Sequence, residues 1–345
     1  MAEKSYRAAI MGLGMMGGAD QVSAEAIGQS VATMDGTHLE ALRGHERVDV
    51  VAGSSRDAGR RERFEQRCGA RTYADWREMI EKEKPDIVSV ATYTPVHAEQ
   101  TIRCAEAGVR AIWCEKPIAT TLVEADAMVA ACERSGTLLV INHNRRFKPN
   151  HQRIADMIAE GVVGEMRSAN LQWASGRLGN VGTHAIDTLR MITRREIVAV
   201  SGHLDLSDKP DCRGDDFHDP GVSGMLRMEG DLVATVDAPN YSVAPLLIQV
   251  NGSNGRVTID RRAIVIESWD GVEQSLAEPE LDGMSYATQG VVAWLDGGTP
   301  FCAPGADAVR TFEAIVGMHV SHDRDAAWVE LPLAGEDRER PVHSG

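Results

Sequence analysis

Gly12-Leu13-Gly14-Met15-Met16-Gly17 follows directly on the apolar run Ala8-Ala9-Ile10-Met11. In a G-x-G-x-x-G loop placed after a strand, the first glycine permits a tight turn and the second lets the backbone approach a pyrophosphate. N–H groups of the following helix then hold that phosphate. The partner of such a loop stands at the tip of the second strand, about 20 residues on. Here the second apolar run, Val48-Asp49-Val50-Val51-Ala52, reaches its tip only at Gly53-Ser54-Ser55-Arg56. The polar stretch 18–35 between them therefore reads as an insertion, and Gly17 either faces a ligand or merely begins a loop. A ribose 2′-hydroxyl is usually held at this tip by Asp or Glu, and neither Ser54 nor Ser55 is acidic. Two hydroxyls with Arg56 suit a 2′-phosphate instead, so NADP is the preferred cofactor, with Asp57 keeping NAD open. Arg60 and Arg61 read more simply as a solvated helix start.

The elements that must position these residues are legible as alternating apolar runs and helical patterns, which predict βαβ units and a parallel sheet. Strands are expected at 8–11, 48–52, 87–91, 109–114 and 138–141, and helices at 97–107 and 122–135, the latter opened by the capping box Thr121 and Glu124. Five strands with interposed helices make a doubly wound Rossmann domain over residues 1–145. Beyond it, residues 146–345 form a second domain. Helices are expected at 149–160, 183–192, 286–295 and 306–320, and a mostly antiparallel or mixed sheet over 197–268.

Composition narrows the class. A chain of 345 residues has room for two domains at roughly 150 residues each, and 43% hydrophobic with 25% charged residues is the balance of a globular protein. The net charge of −15 disfavours nucleic acid and anionic membranes as partners. No apolar run approaches the ~18 residues of a membrane span. Lys4 and Arg7 before an apolar stretch mimic a signal peptide, but the ordered glycines fit a buried strand and turn better. Six scattered cysteines predict free thiols in a reducing cytoplasm. Asp215-Asp216-Phe217-His218-Asp219 has no metal-site spacing and reads as an acidic loop, so no metal is expected.

Three further patches, in this order, carry a family resemblance: Thr94-Pro95-Val96-His97, Glu115-Lys116-Pro117 and Gly182-Thr183-His184-Ala185-Ile186-Asp187, with Arg145-Arg146-Phe147-Lys148-Pro149 between the last two. With them the chain resembles the Gfo/Idh/MocA oxidoreductases from about residue 6 to residue 333. The resemblance implies a Rossmann domain followed by an α/β domain on a large open sheet that serves oligomers, dimer or tetramer. It implies hydride transfer between a nicotinamide cofactor and a secondary alcohol of a sugar, inositol or related polyol. Lys116 then maps to the lysine that touches the reacting hydroxyl and His184 to the acid/base, with Asp187 beside it. Relatives often carry Asp where this chain has Asn180, and an amide cannot take a proton. Proton transfer thus falls to Lys116 and His184.

The cofactor set so read is Gly12, Gly14, Met15, Met16, Gly17, Ser54, Ser55, Arg56, Thr92, Thr94, His97, Glu115, Lys116 and Asn144. The substrate set is Asn180, Asp187, Trp173 and Arg146, with Trp173 either stacking on a sugar ring or packed in the core. Two rival readings share this fold: a glycoside-cleaving enzyme that keeps NAD bound and oxidises its sugar transiently, and a non-catalytic NAD(P)-binding regulator.

Overall fold

The computed structural model describes residues 5–344 apart from 175, 208–210, 212, 213, 215 and 216. The apolar runs become β1 (Tyr6–Met11), β2 (Val48–Ser54), β3 (Arg71–Tyr73), β4 (Ile87–Val90), β5 (Ala111–Cys114) and β6 (Leu138–Ile141). All pair in parallel, in the order β3-β2-β1-β4-β5-β6. Every residue of β4, β5 and β6 is buried, as expected of strands covered on both faces. The sequence reading counts five strands; the sixth, β3, is a short edge strand with no buried residue, too polar to register as an apolar run.

The helices of this half are α1 (Met15–Gly18), α2 (Gln21–Glu25), α3 (His38–Arg43), α4 (Ala58–Cys68), α5 (Trp76–Glu83), α6 (His97–Glu106) and α7 (Leu122–Ser135). The helix after the glycine loop is broken: α1 is a single turn, the insertion follows, and α3 resumes the layer. Thr37 caps α3 by accepting the Glu40 N–H at 3.3 Å. Leu39 and Leu42 of α3 are buried against the sheet, each contributing about 2 kcal/mol by removal from water.

The chain forms two compact units. The first takes in the residues through Ala119, Glu124–Phe147 and Leu281–Ala306; the second takes in Thr120–Val123, Lys148–Glu280 and the residues from Asp307 onward. A late segment, α10 (Gly283–Gly297), therefore joins the first unit. Its Met284, Ala287, Val291 and Leu295 share a core with Leu39, Leu42 and Trp113, and Asp296 accepts from Tyr6 Oη at 2.6 Å.

The second unit is built on nine described strands, β7 (Met166–Gln172), β8 (Ile197–Asp205), β9 (Gly221–Met228), β10 (Val233–Ala238), β11 (Leu247–Gly252), β12 (Gly255–Ile259), β13 (Ile264–Ser268), β14 (Glu273–Leu276) and β15 (Val329–Glu330). Their order is β14-β13-β12-β11-β7-β10-β9-β8-β15, and only the β7–β10 pair is parallel. Exposure alternates along β10, the pattern of a sheet with one covered face. The accompanying helices are α8 (Pro149–Ala159), α9 (Thr183–Thr193) and α11 (Gly305–Asp323). No helix among the described residues is long and apolar enough to cross a membrane.

Candidate active site

Register places the candidate site residues of the first unit. Ser54, Met11, Val90, Cys114 and Ile141 stand opposite one another across neighbouring strands of the parallel sheet. The residues that follow them line its carboxyl edge, and the strand order reverses between β1 and β4, the crevice where open α/β sheets take their ligands.

Gly12 opens the loop at φ +87°, and a Cβ there would lie 2.3 Å from the Ala91 carbonyl oxygen, so only glycine brings these two loops together. A Cβ on Gly17 would lie 1.9 Å from the Gly12 carbonyl oxygen; this glycine closes the helix-to-strand packing. Gly14 instead faces space, its nearest side-chain neighbour being the Arg60 guanidinium at 3.9 Å. Met15 and Met16 lie in α1. In front of the loop lies a cavity of about 510 Å³ lined among others by Gly12, Gly14, Ser54, Ser55, Arg56, Arg60 and Thr92. On its lining the Thr92 hydroxyl donates to Gln100 (2.6 Å); Thr94, outside the lining, is buried with its hydroxyl unpaired.

The arginines around this cavity sort by what they already hold. Arg61 donates to the Ser55 and Arg56 carbonyl oxygens (2.6 and 3.0 Å). Arg63 grips Asp20 with two bonds of 2.7 Å, and Arg77 pairs with Glu99. Arg56 and Arg60 form no ion pair with any described carboxylate, so their charge is available to an anion. Asp57 caps α4, accepting the Arg60 N–H at 2.8 Å.

Glu115 does not face that cavity. It is 7% exposed and sits in a buried polar network that the sequence did not reveal. Its Oε1 contacts His38 Nε2 (3.1 Å) and accepts from Asn142 Nδ2 (2.7 Å), while Oε2 accepts the Lys116 N–H (3.3 Å). His38 Nδ1 meets Ser89 Oγ at 3.0 Å, and Trp113 donates to Asn142 at 3.3 Å. Burial alone would raise the Glu115 carboxyl, but the His38 hydrogen bond and charge, the Lys116 charge and the Asn142 bond outweigh it and hold it at about 2. Glu115, expected as a cofactor contact, is held in this network by His38, Asn142 and the Lys116 N–H. His38 and Asn142 were missed since a lone His at a helix start and an Asn after a strand carry no spacing signal.

His97 begins α6 with its ring buried between the Pro117 and Thr92 carbonyl oxygens (3.0 and 3.1 Å). Burial pushes its pKa down, so the ring is neutral and donates to one of the two. It ties the loop after β4 to the loop that carries Lys116, itself half-buried directly after β5. Asn144 donates to Asp35 of the insertion at 2.7 Å, and Arg146 is buried in the adjoining turn.

In the second unit a wide turn, Leu178–Gly182, runs straight into α9, which puts Asn180 and His184 about one helical turn apart, both half-buried. Asp219 fixes that turn, accepting from the Gly179 and Asn180 N–H groups at 2.7 and 2.8 Å. Of the acidic run, Asp215 and Asp216 lie outside the described residues. Asp187 is buried, accepts from Thr311 Oγ1 at 2.9 Å and lies 3.9 Å from Arg190. Trp173 is 1% exposed, donates to the Gly176 carbonyl oxygen at 2.7 Å and lies against Gly182. Core packing, not sugar stacking, describes it, because neither face of the indole is open. No metal-binding group of His, Cys, Asp or Glu occurs among the described residues.

Comparison with known proteins bears on both units. The family model described as "Oxidoreductase family, NAD-binding Rossmann fold" matches residues 6–143, and that of the GFO/IDH/MocA C-terminal domain matches residues 151–258. D-apiose dehydrogenase of Paraburkholderia graminis is 28% identical over 85% of this chain and 86% of its own. Myo-inositol 2-dehydrogenase of Thermotoga maritima is 26% identical over 55% of this chain and 61% of its own. Among solved structures, the WlbA dehydrogenase of Bordetella pertussis in complex with NADH and UDP-GlcNAcA superposes with a TM-score of 0.78. It is 18% identical and covers 97% of this chain and 100% of that one, a likeness of fold.

Proposed function

The chain belongs to the Gfo/Idh/MocA oxidoreductase family, and on that premise we propose that it transfers a hydride between NADP and a secondary alcohol of a sugar, inositol or related polyol. The relatives named above as sugar and inositol dehydrogenases support the substrate class. The single observation that carries the choice of cofactor is the pair of guanidiniums without an ion pair among the described residues, Arg56 and Arg60, in the cavity that Ser54 and Ser55 also line. The residues present fit a dinucleotide: Gly12 turns the chain at φ +87°, Gly14 faces open space, and Ser54, Ser55, Arg56 and Arg60 line the cavity in front of the loop.

When bound, the nicotinamide accepts or returns the hydride; the rest falls to side chains of this chain. Lys116 supplies a positive charge and three donors to the substrate oxygen, stabilising the alkoxide that develops as the hydride leaves. His184 takes the hydroxyl proton, a task suited to an imidazole near neutral pH. Asn180 orients a substrate hydroxyl by hydrogen bonds and leaves the proton to His184. His97 and the Glu115 network hold the loop on which Lys116 is carried. The first unit, residues 1–145 joined by Leu281–Ala306, serves as the dinucleotide domain, and the remainder of residues 146–345 as the substrate and oligomer domain. The scattered spacing of the six cysteines, without paired or zinc-site patterns, supports a cytoplasmic setting.

The test is a titration of NADP(H) and NAD(H) by quenching of tryptophan fluorescence on wild type and Arg56→Ala. The variant is expected to lose roughly tenfold to a hundredfold in NADP affinity, the worth of a charge-assisted bond to phosphate, and little in NAD affinity. Equal loss for both cofactors overturns the NADP assignment. Absence of binding to either one, on protein free of nucleotide, overturns the dehydrogenase reading.

A further inference from the structure

The insertion between α1 and α3 is tied to the cofactor cavity by a chain of four side chains. Arg63 grips the buried Asp20 through two bonds of 2.7 Å, and Arg67 lies 3.9 Å from the same carboxylate. Asp20 Oδ2 accepts from Ser23 Oγ at 2.6 Å. Because the Ser23 hydroxyl spends its only proton on that carboxylate, its lone pairs are left to accept from Arg60 Nε, at 3.0 Å. The direction of every bond is thereby fixed. Arg60 is held back by Nε, and its Nη1 lies toward Gly14. The guanidinium stands 3.9 Å from where a Cβ of Gly14 would be, in the cavity that Ser54, Ser55 and Arg56 line. No described carboxylate pairs with it, in contrast to Arg63 and Arg77. A long cation with four rotatable bonds would lose much of its order in solvent; here the insertion pays that cost in advance, since Asp20 and Ser23 are already locked by Arg63.

We propose that the insertion is a cofactor-selectivity device: Asp20 and Ser23 aim Arg60 at the 2′-phosphate of the adenosine ribose, so that Arg56 and Arg60 grip that phosphate from two sides. Arg60 is the contact, and Ser23 and Asp20 are positioning residues that act through it. The inference rests on the NADP reading given above. It assigns a purpose to residues 18–35, which lengthen the path from the glycine loop to the tip of β2 and have no role in a minimal dinucleotide fold.

The test uses the full chain and two probes that carry no nicotinamide, adenosine 2′,5′-bisphosphate and 5′-AMP, each titrated calorimetrically. Arg60→Ala is expected to weaken the bisphosphate about tenfold or more, as loss of a charge-assisted contact does, and to leave 5′-AMP within about twofold. Ser23→Ala, a mild change that leaves the Arg63–Asp20 pair in place, is expected to weaken the bisphosphate about threefold in the same selective way. The double variant should be no worse than Arg60→Ala alone, because Ser23 acts only through Arg60. Equal weakening of both probes by Arg60→Ala places the guanidinium on the 5′ side and overturns the assignment. An unchanged Ser23→Ala, or additive losses in the double variant, overturns the positioning role. If wild type binds both probes alike, and Arg56→Ala changes neither, the NADP reading itself has failed. If wild type and Arg56→Ala behave as that reading requires while Arg60→Ala is silent, only the present inference falls.

Discussion

Replacing Glu115 by Gln tests whether the buried network holds the loop that carries Lys116. The change keeps the volume and one acceptor oxygen, but it removes the charge and presents an amide to groups that are themselves donors, Asn142 Nδ2 and the Lys116 N–H. The magnitude follows from the carboxyl itself. A group that ordinarily titrates at 4.5 and is held at about 2 in the fold contributes about 3 kcal/mol of stability at neutral pH, at about 1.4 kcal/mol for each factor of ten. The figure agrees with the roughly 3–5 kcal/mol lost when one partner of a buried pair is removed. Its sign with pH is set by a depressed carboxyl: the contribution is complete above 4.5 and is lost as pH falls toward 2. The stability gap between wild type and Glu115→Gln is therefore expected to be present at pH 7 and to narrow below about 4.5 as the carboxyl is protonated. Urea denaturation followed by tryptophan fluorescence reads it, since Trp113 donates into the same network at 3.3 Å. Taking the difference between the two proteins cancels the titrating groups that do not interact with Glu115; the buried His97 is not one of them, since the Glu115 charge raises it. A gap under about 1 kcal/mol at pH 7, or one that stays constant down to pH 3.5, would refute the reasoning.

Two other outcomes follow from the same geometry. Lys116→Ala is expected to lower turnover by about a hundredfold to ten-thousandfold while cofactor affinity, read by fluorescence titration, stays within about threefold; a variant that turns over normally removes Lys116 from the chemistry. Gly12→Ala must fit a Cβ 2.3 Å from the Ala91 carbonyl oxygen at φ +87°, so the first unit should lose about 1–3 kcal/mol in thermal or urea unfolding and cofactor binding should fall with it; unchanged melting and affinity would mean that the two loops are not held this closely.

Residue type and local spacing alone determined much of this protein. The runs at 8–11, 87–91 and 138–141 became β1, β4 and β6, because an uninterrupted apolar stretch of that length fits a strand buried on both faces. The glycine loop was legible because turn sterics and backbone approach depend on the residue itself. Helix α7 began and ended where a capping box and Gly136 placed it. What the sequence did not determine is which groups meet. Three-residue β3 has no pattern to read, and α10 returns to the first unit from far along the chain. Trp173 is a core residue and not an open stacking face; Glu115 is held by His38 and Asn142; of the arginines behind β2, Arg61 and Arg63 are spent while Arg56 and Arg60 are not. Strand, turn and cap are properties of a short stretch of chain, and one stretch suffices to specify them. Burial, and the identity of a charge's partner, belong to pairs of residues far apart in sequence, such as His38 and Glu115, and are decided only when the chain has folded.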